Sequence, residues 1–280
     1  MDSGLADGAG LYLDLLKKVL INDVDLENKL RVEYIQECLI QNREPDLVTA
    51  RDIRILRAER YEQLKTEQRE GRYRLKSDSP YYPFTLIGKA RLDNIQDCLD
   101  RIRLDSIPGD CIETGVWRGG ATLFMRAYLK AYGMTDRTVW LADSFEGLPK
   151  PGHVLEKDYD FYTYDILSVG QEQVRMNFEL FGLMDGQVRF LPGWFKDTLP
   201  TAPIEKLALM RLDGDMFEST LDSLTALYPK LSPGGYVIVD DYGVLDCCRH
   251  AVHAYRVRHR ITCPLERIDH TGVFWRKELA

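Results

Sequence analysis

Long apolar runs are missing from this chain. No part of its 280 residues approaches the ~20 consecutive apolar positions that span a bilayer. The opening MDSGLADGAG has neither a basic start nor an apolar stretch of the signal-peptide kind, so we expect a cytoplasmic protein with no membrane partner. A basic excess is missing as well: 37 Lys and Arg stand against 44 Asp and Glu, for a net charge of -7, which argues against nucleic acid as a partner. The six cysteines (Cys38, Cys98, Cys111, Cys247, Cys248 and Cys263) include no C-x-x-C pair, and adjacent Cys247 and Cys248 cannot easily bridge each other. Reduced thiols are expected, with a zinc site or redox switch as the alternative. The five histidines form no metal-spaced set. His250 and His253 read as surface residues of a helix, while His153 could reach a substrate from its loop.

What is present divides the chain in two. A region over residues 1–90 reads as a helical layer: LYLDLLKKVL (Leu11–Leu20) and Val32–Ile40 have helical periodicity. Arg51–Lys76, with one glycine and no proline, reads as one long amphipathic helix carrying Ile53, Leu56, Tyr61 and Leu64. Its Arg51, Arg54, Arg57 and Arg60 read as a solvated face paired with Glu59, Glu62 and Glu67, or else as an anion- or partner-contacting face. Over 91–280, short apolar runs alternate with helical patterns, the signature of βα units on a parallel sheet. Strands are expected at Asp110–Thr114, Thr138–Asp143, Val188–Leu191, Leu207–Asp213 and Tyr236–Asp240, with helices at Ala121–Tyr132, Val174–Phe181, Met216–Tyr228 and Leu245–Arg258. Ile261–Ile268 and Gly272–Arg276 should close the sheet as a strand pair, and Pro149–Tyr164 reads as a long irregular connection of the kind that caps an active site.

Open α/β sheets bind ligands beyond the carboxyl ends of their strands. Here those ends are acidic and glycine-rich. Glu113-Thr114-Gly115-Val116-Trp117-Arg118-Gly119-Gly120 is not G-x-G-x-x-G, so a cofactor with an ammonium and no pyrophosphate, such as S-adenosylmethionine, fits better than a dinucleotide; a bare structural turn would want the same glycines. Asp143, followed by Ser144 and Phe145, stands where an acid can accept hydrogen bonds from both ribose hydroxyls, or where an aspartate caps a turn. Gly193 allows close backbone approach and Trp194 offers an adenine flank, or a core tryptophan. Asp213, Asp240 and Asp241 end two strands expected to be neighbours. Three carboxylates so close repel, and a hard divalent cation relieves the conflict: magnesium, with manganese or calcium as substitutes. The alternative is that one or more of them caps a helix. Asp215 stands two residues on, free to take a proton.

Together these segments resemble the macrocin O-methyltransferase family of natural-product sugar methyltransferases. The resemblance is carried by LYLDLLKKVL, IETGVWRGGA (112–121), VWLADSFEGLP (139–149), FLPGWF (190–195), LDGD (212–215) and VDDY (239–242). It implies a Rossmann-like class I methyltransferase fold, with a mostly parallel seven-stranded sheet and helices on both faces, plus an N-terminal helical extension. It also implies S-adenosylmethionine as donor, magnesium on Asp213, Asp240 and Asp241, Asp215 as general base, and a deoxysugar hydroxyl on a glycosylated natural product as acceptor. Residues 1–90 are expected to form a lid and a homo-oligomer contact. Between LYLDLLKKVL and Tyr82 the stretch looks longer and more charged than the resemblance leads one to expect. A phenolic or catechol acceptor would chelate in the same way, and a noncatalytic binding subunit on the same fold is the reading from another class.

Overall fold

The computed structural model describes residues 3–71 and 82–278, which fall into two compact units, Met1–Ala90 and Arg91–Ala280. The first unit is helical: α1 (Ser3–Leu20), α2 (Leu26–Ile40), α3 (Leu47–Arg51), α4 (Ile53–Leu56) and α5 (Ala58–Glu70). The expected single helix over Arg51–Lys76 is broken twice, at Asp52 and Arg57, and ends at Gly71, whose φ of +66° closes α5; residues 72–76 lie outside the described residues. Burial explains the breaks. Ile53 of α4 and Leu64 of α5 both enter one small core with Leu26, Leu30, Tyr34 and Cys38 of α2, and short segments can each be aimed at α2 where one straight rod cannot. The arginine series is paired, mostly with other acids than expected: Arg57 bonds Glu37 (2.7 Å), Arg60 bonds Glu33 (2.9 Å) and Glu67 (3.1 Å), Arg51 bonds Asp52, and Arg54 lies over the Tyr61 ring.

The second unit is built on seven strands: β1 (Asp110–Thr114), β2 (Val139–Asp143), β3 (Val188–Pro192), β4 (Leu207–Leu212), β5 (Leu231–Val239), β6 (Glu266–Arg267) and β7 (Val273–Arg276). Their order across the sheet is β3-β2-β1-β4-β5-β7-β6, parallel except where β7 pairs with β5 and β6. The reversal between β1 and β4 puts the topological switch point beside the β1 loop. Six helices accompany the sheet: α6 (Lys89–Leu104), α7 (Gly120–Ala131), α8 (Gln171–Leu180), α9 (Phe195–Thr198), α10 (Phe217–Leu227) and α11 (Asp246–Arg258). Ile112, Met210, Leu212, Val237 and Val239 form one core with α10 and α11. The alternate residues Cys111, Leu141, Leu209 and Ile238 are buried too, so both faces are covered, and such strands read as continuous apolar runs.

Two strand expectations are corrected. β5 begins at Leu231, five residues before Tyr236, because Pro233 and the glycines that follow disguise its first half. The strand expected over Ile261–Ile268 shrinks to Glu266–Arg267. The connection after β2 is irregular, with single 3-10 turns at Val154–Glu156, Phe161–Thr163 and Asp165–Leu167. All six cysteines are free and buried. Among the described residues, no helix is long and apolar enough to cross a membrane.

Candidate active site

Register sets the row of residues just beyond the sheet. Thr114, Leu212 and Val239 are paired neighbours in β1, β4 and β5, so Gly115, Asp213 and Asp240 leave the sheet side by side. Asp213 N donates to Thr114 O at 2.8 Å and Asp240 N to Leu212 O at 2.9 Å. One carboxylate oxygen each from Asp213, Asp240 and Asp241 lies within 4.8 Å of the others, a spacing at which one oxygen-loving cation can be shared. Asp215 N donates to Asp241 Oδ2 at 3.2 Å. Its φ of +57° is a left-handed conformation that costs a non-glycine residue about 1 kcal/mol or more, the sort of strain found at functional sites. Burial pushes the Asp213 carboxyl up to about 6 against the pull of Arg211. Burial and then the neighbouring carboxylates push Asp215 and Asp241 well above the usual carboxylate range.

Two buried guanidiniums compensate part of this charge. Arg211 is the register partner of Glu113 across β1 and β4, and its side chain donates to Glu113, to Asp213 (2.7 Å) and to Asp240. Arg91, on α6, donates to the other oxygen of Asp240 and to Asp269 (3.0 Å). Neither arginine was singled out from the sequence. The signal for Arg211 was a lone cation inside the apolar strand LALMRL, directly before Asp213. Arg91 had none, since its partners lie about 150 or more residues further on. Glu113 is 2% exposed, burial pushes its carboxyl to about 8, and its Oε2 is a buried acceptor without a hydrogen-bond partner.

The loop after β1 is folded tightly against this row. At Gly115 a Cβ would lie 1.8 Å from Asp213 O, and φ is +85°, so only glycine fits. Asp143 clasps the loop: one oxygen accepts from Val116 N (2.7 Å) and Trp117 N (3.4 Å), the other from Phe145 N (2.8 Å). Ser144 Oγ also lies 3.5 Å from Asp143 Oδ1, but its single proton is taken at 2.6 Å by Gly147 O; a carboxylate offers about four acceptor directions, so Asp143 is a turn aspartate that keeps capacity for a further donor. Ser144 Oγ donates to Gly147 O (2.6 Å) and accepts from Glu146 N (3.0 Å), shaping the same turn. Gly193 N donates to Asp143 O at 2.8 Å, which ties in the third loop. Trp194 is partly buried at the start of α9 and is not among the fully buried core residues. Gly119 precedes α7, and Gly120 is its first residue. Thr114 points elsewhere: it is fully buried and accepts from Ser223 Oγ of α10 at 3.3 Å. His153 stacks on Phe217 at 4.1 Å and accepts from Leu155 N, while His250 and His253 are exposed.

The sequence model of the macrocin O-methyltransferase (TylF) family matches residues 9–277. The chain belongs to this family. The match takes in the N-terminal helices. A tetracenomycin 4'-O-methyltransferase of Streptomyces olivaceus, whose substrate carries a dimethoxyrhamnosyl group, is 48% identical over 278 residues, covering 98% of this chain and 95% of the relative. The mycinamicin III 3''-O-methyltransferase of Micromonospora griseorubida is 50% identical over 206 residues, 71% of this chain and 81% of the relative. Among solved structures, the O-methyltransferase NovP superposes with a TM-score of 0.79 at 43% identity, over 96% of this chain and 99% of that one. This member of the family is an O-methyltransferase with the class I sheet order.

Proposed function

We propose that this O-methyltransferase is magnesium-dependent and transfers a methyl group from S-adenosylmethionine to a hydroxyl of a deoxysugar on a glycosylated natural product. The observation that carries the reading is the convergence of Asp213, Asp240 and Asp241 beside Asp215, at the carboxyl end of a sheet whose β1 loop is folded tightly against that row. The acceptor class is taken from the relatives, whose names specify a rhamnosyl tetracenomycin and mycinamicin III as substrates.

Asp213, Asp240 and Asp241 would hold the metal, their all-oxygen donor set matching a hard cation. When bound, magnesium supplies Lewis acidity toward the acceptor hydroxyl and S-adenosylmethionine supplies an electrophilic methyl. Asp215, tethered through its backbone to Asp241, takes the hydroxyl proton. Glu113, through its unpartnered Oε2, and Asp143, through its remaining acceptor capacity, orient the donor's ammonium and ribose. Trp194 flanks the adenine, and the Gly115, Val116, Gly119, Gly120, Phe145 and Gly193 backbones, with Thr114 behind them, shape the bed. The partner reading is a homo-oligomer whose contact involves residues 1–90, in a cytoplasmic enzyme.

Labelled donor and a panel of glycosylated natural products test this. EDTA should abolish methyl transfer and magnesium should restore it, while calorimetry should still detect donor binding in EDTA. Asp215→Asn should keep metal and donor but lose turnover by about 100-fold or more, as expected for a general base. Full activity in EDTA would remove the metal from the reaction, and an active Asp215→Asn enzyme would move the base elsewhere.

A further inference from the structure

Asp240 belongs to the proposed metal set, yet both of its oxygens are already engaged by cations. Arg211 holds one and Arg91 the other. The Arg91 side chain is 7% exposed and is the second link of an alternating chain of charges, Asp269–Arg91–Asp240–Arg211–Glu113, that crosses the carboxyl ends of the sheet. Arg211 serves donor-side and metal-side acids at once. Among the described residues Arg91 forms ion pairs with Asp240 and Asp269 and none with Glu113, so a change at Arg91 acts on the metal side. Asp269 in turn accepts from Thr271 N and Gly272 N, both at 2.8 Å, which fixes the far end of the chain to the turn before β7.

We infer that Arg91 is a built-in counter-cation for Asp240, which holds the carboxylate cluster together in the metal-free protein and keeps metal affinity low enough for exchange. This rests on the metal reading above. With Arg211 alone, already shared among Glu113, Asp213 and Asp240, the clustered carboxylates would repel one another more strongly, and folding would come to lean on the metal. With Arg91 in place, the cluster is tolerable before any divalent ion arrives. A divalent ion that takes Asp240 must then share it with a guanidinium whose charge repels it. Arg91 is therefore a positioning residue, acting through Asp240.

The test is magnesium titration by calorimetry together with thermal unfolding in EDTA and in magnesium, with S-adenosylhomocysteine binding as the check on the fold. Arg91→Met should bind magnesium at least about tenfold more tightly than wild type, because a repelling charge has gone. It should unfold at a lower temperature in EDTA and recover most of that loss in magnesium. Arg91→Lys, which keeps the charge, should stay near wild type. Asp269→Asn, which removes the other anion competing for Arg91, should shift metal binding in the opposite direction and weaken it. A merely structural arginine would give equal stability losses with and without metal, and unchanged or weaker metal binding in Arg91→Met; that result overturns the inference. Should Arg91→Met fold under neither condition, Asp269→Asn decides, weaker magnesium binding supporting the inference and unchanged binding overturning it. If wild type binds no magnesium, the metal reading falls and takes this inference with it. If wild type binds magnesium but Arg91→Met does not tighten it, only the inference falls.

Discussion

Glu113 carries a carboxyl into the middle of the sheet, where burial raises it to about 8 from the usual 4.5 despite the Arg211 guanidinium beside it. A folded chain that holds a proton which the unfolded chain releases is stabilised fully below the unfolded value. That contribution is lost as pH rises through the folded one. The melting temperature of the metal-free protein should therefore fall between about pH 4.5 and 8, and Glu113→Gln should flatten the slope. An unchanged slope in the variant would place the proton elsewhere. The sequence marked Glu113 for the donor's ammonium because it ends a strand before a glycine loop. It could not show that Arg211, 98 residues on, is its register partner. Asp143 is a similar case: its place at the end of β2 was legible, and the three backbone donors that fill most of its capacity were not.

The connection over 149–164 is pinned rather than loose. Glu156, 2% exposed, accepts from Gly152 N (3.1 Å) and His153 N (3.2 Å) through one oxygen and from Glu218 N (2.8 Å), in the first turn of α10, through the other. Just past the segment, Trp117 Nε1 donates to Ile166 O at 2.9 Å, so the β1 loop grips the following stretch. Hydrogen bonds to a charged acceptor are worth roughly 1.5–3 kcal/mol each. Glu156→Ala should free the segment, with faster limited proteolysis between residues 157 and 165 and a several-fold rise in acceptor KM, while donor affinity stays put. Equal proteolysis rates would show that the stacking of His153 on Phe217 is enough to hold it. An irregular segment rich in Pro, Gly, Tyr and Asp was legible as such. Its clasp was not, because a glutamate inside a loop carries no periodic signal. The break in the helix expected over 51–76 has the opposite lesson, since there a continuous pattern was overruled by the need to bury Ile53 and Leu64 against α2.

On the scale of the molecule, exposed large apolar residues crowd into the first unit: Leu11, Leu15, Leu39, Ile40, Leu47 and Ile55 are each more than half exposed. Exposed large apolar side chains in such number are what interaction surfaces are made from, which is the basis for proposing a homo-oligomer. Sedimentation at micromolar concentration should show a dimer or larger species, and Leu39→Glu with Ile55→Glu should shift it toward monomer without loss of donor binding. A wild-type monomer would leave this surface to the acceptor or to another partner.

Strand composition, the acidic strand ends and the glycine loop are local properties, so the sequence by itself determined the α/β class, the order of strands and helices, and the candidate residues Glu113, Asp143, Asp213, Asp215, Asp240 and Asp241. Strand register and the placement of α6 are long-range properties. Only the tertiary structure decided that Thr114, Leu212 and Val239 lie in one row, and therefore that Asp213 and Asp240 converge. Only it set Arg211 between them and Arg91 against Asp240, because a buried charge declares its role through its partner, and the partners here are brought together by packing and not by spacing along the chain.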